Sequence, residues 1–109
     1  VLSISGTAIT TNDITELNAG QATRISVAQK NSTTYLVGFE DDGDSTMAKL
    51  LPVTVSGTTV QPPGDTTTLD SGAGCDGLTL IPLSSSTFLA AYQSPSIAND
   101  CRVKVISYS

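Results

Sequence analysis

The chain has 109 residues, 39% of them hydrophobic, 14% charged and 5% aromatic, with two Cys, no His and no Trp, and a formal net charge of −5. One domain is the most that this length holds, and the lack of His removes the usual imidazole base and the commonest metal ligand, so no catalysis and no cofactor are expected. Ten acidic against five basic residues repel phosphate backbones, which argues against nucleic acid, and no apolar run nears the roughly 20 residues of a helical membrane span.

Fourteen Ser and sixteen Thr suit exposed strand faces and turns better than long amphipathic helices, so the chain reads as all-β. In chain order, Val1 to Thr11 comes first as strand-like sequence around Ser5-Gly6-Thr7. Ile25 to Ala28, the turn Asn31-Ser32-Thr33-Thr34 and the short apolar run Tyr35 to Phe39 then read as a hairpin. Leu51, Val53 and Val55 alternate with Pro52 and Thr54 in the period of a half-buried strand, and Ser56-Gly57 turns the chain into a short outer strand, Thr58 to Val60, stopped by Pro62-Pro63-Gly64.

The same order of runs returns in the second half. Leu78 to Leu83, the turn Ser84 to Thr87 and Phe88 to Tyr92 form the second hairpin, and Val103 to Tyr108 supplies the third strand. Ser5-Gly6-Thr7 recurs 51 residues on as Ser56-Gly57-Thr58, and residues 23 to 56 slide onto 76 to 109 without a gap, an offset of 53 that keeps the apolar positions in register. The expected organisation is therefore a single all-β domain, 1–109, made of two repeats, 5–55 and 56–109, each a four-stranded antiparallel unit.

Ser109 is the repeat equivalent of Ser56, so the second unit lacks an outer strand in its own sequence, whereas residues 1–11 carry one in surplus. The expectation is that this N-terminal strand, through Leu2, Ile4 and Ile9, completes the edge of a second repeat, most readily that of a neighbouring chain. Such pairing is heterologous and yields a ring or a filament.

Leu83 to Tyr92, with Val53-Thr54-Val55-Ser56-Gly57-Thr58-Thr59-Val60, resembles the degenerate blade repeat of secreted bacterial and phage propeller-like proteins. The resemblance spans nearly the whole chain and implies propeller-blade-like units. Members of that group string many blades in one polypeptide, whereas this chain carries two, which points to a homo-oligomer or filament. The leading functional reading is a non-catalytic structural subunit, secreted or surface-displayed, that assembles head to tail. Two-blade lectins are similar in architecture, so a carbohydrate-binding module with glycan sites near Asp76 or residues 40–44 is the alternative; those lectins stack sugars on Trp, which this chain lacks.

Four smaller features complete the reading. Two Cys in a small acidic Ser/Thr-rich chain favour a disulfide, Cys75 to Cys101, provided the loops around Gly74 and Gly77 bend inward, because regular pairing puts the two strands about 10 Å apart. Asp41, Asp42 and Asp44 are a calcium candidate by density of carboxylates, although Gly43 falls between the last two acids and breaks the usual loop spacing. Asn31-Ser32-Thr33 is an N-glycosylation sequon on a predicted hairpin tip, and Thr66, Thr67 and Thr68 are candidate O-linked acceptors. Tyr35, Phe39, Phe88 and Tyr92 hold equivalent places in the two repeats, which marks them as core.

Overall fold

The computed structural model describes residues 1–6, 8–11, 13–70, 74–95 and 98–109, with residues 4, 5 and 8–10 described in the backbone alone. The protein is all-β, and among the described residues there is no helix, hence none long and apolar enough to cross a membrane. The strands are β1 (Leu2–Ser5), β2 (Ala8–Thr11), β3 (Ala22–Gln29), β4 (Thr34–Asp41), β5 (Met47–Ser56), β6 (Thr59–Val60), β7 (Thr67–Thr68), β8 (Asp76–Pro82), β9 (Thr87–Ser94) and β10 (Asp100–Ser107). Every pairing is antiparallel.

The first sheet is the meander β3-β4-β5, and the outer edge of β5 is covered in two pieces, by β6 opposite Val55 and Ser56 and by β7 opposite Lys49 and Leu50. Between and beyond these pieces Gln61, Gly64 and Leu69 donate backbone N–H groups to Thr54, Pro52 and Ala48 at 2.8–3.1 Å. Pro62 and Pro63 have no N–H to give, so this outer strand is interrupted there. The second sheet is β8-β9-β10. It has three strands where four were expected, and among the described residues no strand lies along the outer edge of β10.

The N-terminal segment stands apart from both sheets: among the described residues β1 and β2 form a separate hairpin in which Leu2 lies opposite Thr11 and Ser5 opposite Ala8. The physical reason is local. Gly6 has φ +62°, close to the +60° of Gly57 in the β5–β6 turn, and a two-residue loop with glycine first matches the twist of the strands it joins.

The sheets stack face to face. Residues paired across antiparallel strands share a face. One face of the first sheet therefore carries Ala28, Leu36, Gly38, Glu40, Ala48 and Leu50, and these meet Leu78, Leu80, Phe88, Ala90 and Tyr92 of the second, with Leu69 and Cys75 packed in the same cluster. Phe88 and Ala90 are fully enclosed. A Cβ on Gly38 would stand 2.5 Å from Leu78 Cδ2 and 3.1 Å from Leu80 Cδ1, so the sheets approach closely because position 38 is bare. The opposite face of the first sheet is apolar too, with Val37, Phe39, Leu51 and Val53 partly covered by Leu17, Ala22 and Val60. Strands β4 and β5 thus bury both faces, as Leu36 beside Val37 and Leu50 beside Leu51 require.

Backbone detail repeats with the sequence offset of 53. The N–H groups of Lys30 and Asn31 share the carbonyl of Thr34, as those of Leu83 and Ser84 share that of Thr87. Val55 N–H donates to Thr33, as Tyr108 N–H does to Ser86. Ser45 and Thr46 take left-handed φ of 54° and 58°, and Ala98 and Asn99 take 52° and 59°. Arg24 (φ 50°) and Gly77 (φ 69°) sit at equivalent irregularities of β3 and β8, where the ladder skips between Thr23 and Ser26 and between Asp76 and Leu78. Glycine tolerates that conformation freely, whereas arginine adopts it under steric strain.

Candidate functional site

The irregularity at Arg24 aims its guanidinium across the join between the sheets. Nη1 donates to Glu40 Oε2 at 2.7 Å on the same sheet, and Nε lies 2.6 Å from Asp76 Oδ1 on the other. Glu40 is almost fully buried, and desolvation pushes its carboxyl above the ordinary range, with the hydrogen bond and charge of Arg24 opposing that rise. The pair with Glu40 in turn raises the pKa of Arg24, which holds the guanidinium charged. Burial is also the main cause that lifts the neighbouring Cys75 thiol from an ordinary value of 9.0 to about 11, reinforced by the Glu40 carboxylate. A thiol held protonated in this way is a poor nucleophile.

A second polar group ties the connection after β7 to the second sheet. Asp70 Oδ2 accepts from Tyr92 Oη at 2.7 Å and from Arg102 Nη1 at 2.9 Å, and Lys104 Nζ donates to the Leu69 carbonyl at 2.6 Å. Burial, and then the bond to Asp70, push the Tyr92 hydroxyl up to about 12. On the first sheet Lys49 pairs with Asp44 and donates to Thr68 Oγ1 at 3.0 Å. In each cluster carboxylate and cation are already engaged with one another. The arrangement suits fastening of strands and connections.

The sequence candidates fall as follows. Asp41, Asp42 and Asp44 lie on the β4–β5 loop, but Asp41 Oδ1 accepts from Gly43 N–H, Asp44 pairs with Lys49, and among the described residues no three acidic, Cys or His side chains converge on a cation site. The disulfide is not formed: Cys75 is a buried free thiol and Cys101 an exposed one. The register explains this, since Asp76 and Cys101 lie opposite the same residue, Gln93, from its two sides, which places the thiols on next-but-one strands. Asn31 sits at the exposed tip between β3 and β4, where its Oδ1 accepts from the N–H groups of Thr33 and Thr34 at 2.9 and 2.8 Å and from Thr33 Oγ1. Thr66 and Thr67 are exposed, and Thr68 is half-buried against Lys49. Leu2 is exposed, whereas the side chains of Ile4 and Ile9, which face each other across the β1–β2 register, lie outside the described residues.

The largest features that sequence reading missed are apolar and exposed. On the outer face of the second sheet, Ile81, Leu89 and Val105 form one cross-strand row and Thr79, Ala91 and Val103 the next, with Ile81 48%, Val103 61% and Val105 62% exposed. On the outer face of the first sheet, Ile25 and Val27 are 64% and 58% exposed beside a groove of about 440 Å³ bordered by Tyr35, Val37, Val53, Val55 and Val60. The alternation that marks these strands also marks the faces, and only the pairing register shows which face is left uncovered. Comparison with family models, with curated proteins and with solved structures finds no match.

Proposed function

We propose that the chain is a non-catalytic structural subunit, secreted or surface-displayed, whose two propeller-blade-like units are completed by strand pairing between chains, so that copies assemble head to tail into a ring or fibre. The observation that carries this reading is the difference between two equivalent edges. The outer edge of β5 is covered by residues 59–69, while β10 has no such partner among the described residues. An open edge of backbone donors and acceptors is a template for another strand.

The cover on β5 has a counterpart elsewhere in the chain. In the β1–β2 hairpin Ser5 lies opposite Ala8 and Ile4 opposite Ile9, matching Ser56 opposite Thr59 and Val55 opposite Val60. The strand β2 therefore has the sequence and turn of an outer strand, and the edge of β10 in another copy is its natural acceptor. Engagement of the charged groups with one another, together with the protonated state of Cys75, supports a structural over a catalytic role. Electron micrographs of the purified protein test the reading. Rings or fibres that are lost on deletion of residues 1–11 support it; isolated single particles from the intact chain, or assemblies unchanged by the deletion, overturn it.

A further inference from the structure

The offset of 53 also pairs the faces of the two sheets. Leu78, Leu80, Phe88, Ala90 and Tyr92, which the second sheet turns toward the first, are the repeat equivalents of Ile25, Val27, Tyr35, Val37 and Phe39. Those residues line the outer face of the first sheet. Conversely Ala28, Leu36, Gly38 and Leu50, which receive the second sheet, are equivalent to Ile81, Leu89, Ala91 and Val103 on its outer face. The two outer faces, the first of them partly covered by Leu17, Ala22 and Val60, are thus equivalent to the two halves of the interface that already holds the sheets together.

From this we infer that the outer face of the first sheet in one copy docks on the outer face of the second sheet in another copy, repeating between chains the stacking seen within one. The inference rests on the self-assembling role proposed above and specifies a different contact for it: face on face, beside the strand exchange at the edge.

Steric detail favours this partner. Within the chain Leu78 and Leu80 close over Gly38, where a Cβ has no room. At the equivalent contact Ala91 replaces Gly38, and Ile25 and Val27 replace the two leucines. The added methyl thus meets Val27, one methylene shorter than Leu80, while Ile25 is an isomer of Leu78 with the same volume. Volume lost on one side is regained on the other, as close packing requires. The polar contact has an equivalent too. Leu80 N–H donates to Ser26 Oγ at 3.0 Å, and the counterparts are Val27 N–H and the exposed hydroxyl of Thr79. Leu17 already packs on the outer face of the first sheet much as Leu69 packs within the internal interface, so the connecting segment is placed for a blade to sit over it.

Complementary variants test the pairing. Val27→Glu spoils one face and Val105→Glu the other, and both positions are largely exposed in the single chain, so circular dichroism should be unchanged. Ile25→Glu with Val103→Glu serves as a second pair. In sedimentation velocity the wild type should exceed the 11.2 kDa of one chain. Each variant alone should fall to the monomer, and an equimolar mixture of Val27→Glu with Val105→Glu should give a dimer and nothing larger, because each supplies the face that the other lacks. Assembly of either single variant at wild-type size, or a mixture that stays monomeric, overturns the face pairing while leaving assembly by strand exchange standing. A wild type that is monomeric at every concentration overturns both.

Discussion

Arg24 shows how much one backbone irregularity decides. Its left-handed φ, at the position where the second repeat has Gly77, turns the side chain toward Glu40 and Asp76 and fastens one sheet to the other. Replacing it by Met would leave the Glu40 carboxylate buried without its cation. An acid whose folded pKa lies above its unfolded value loses stability as pH rises through that interval. Arg24→Met should therefore lower the melting temperature more at pH 7 than at pH 4, which thermal scans at the two values would show. Two other buried groups obey the same logic. Cys75 is held near 11 and Tyr92 near 12 by burial, so the unfolded chain ionises first and stability should decline from about pH 9 upward. For Cys75 alone the loss comes to about 3 kcal/mol once both states are ionised. Denaturant titrations from pH 8 to 11 should show a shallower decline in Cys75→Ala. Maleimide treatment of the native protein should mark Cys101 and spare Cys75, with both reacting after denaturation.

At the scale of elements, the hairpins were legible in the sequence because their signals are local. The runs around Asn31 to Thr34 and Ser84 to Thr87 do turn the chain as read, and of the four equivalent aromatics Phe39, Phe88 and Tyr92 are buried whereas Tyr35 is only half-buried. Contacts that depend on register across long separations were not legible. Nothing in the residues near Arg24 announces a pair with Glu40 sixteen positions on, although the offset that sets Arg24 beside Gly77 carried a trace of the irregularity. The disulfide does not form because the strands keep the regular spacing of about 10 Å that the sequence already set against it. Both-face burial of β4 and β5 makes the first sheet the mechanical centre of the fold. Gly38→Ala should cost about 1–3 kcal/mol by overpacking against Leu78. Phe88→Ala, at a fully enclosed position, should cost about 3–5 kcal/mol by opening a cavity. Urea denaturation followed by circular dichroism measures both.

For the whole molecule the governing fact is that each of the two stacked sheets turns an apolar face outward, the first of them partly covered, and that among the described residues no strand lies along the outer edge of β10. Apolar rows such as Ile81, Leu89 and Val105 mark interaction surfaces when they are contiguous. In the proposed assembly, contact through the face or through the edge is heterologous and would propagate from copy to copy. The most direct test is the mass of the intact chain in solution, measured by sedimentation velocity across a wide range of protein concentration. Species heavier than the 11.2 kDa chain are expected, growing with concentration or settling at one closed ring. A single species of one-chain mass throughout would contradict self-assembly.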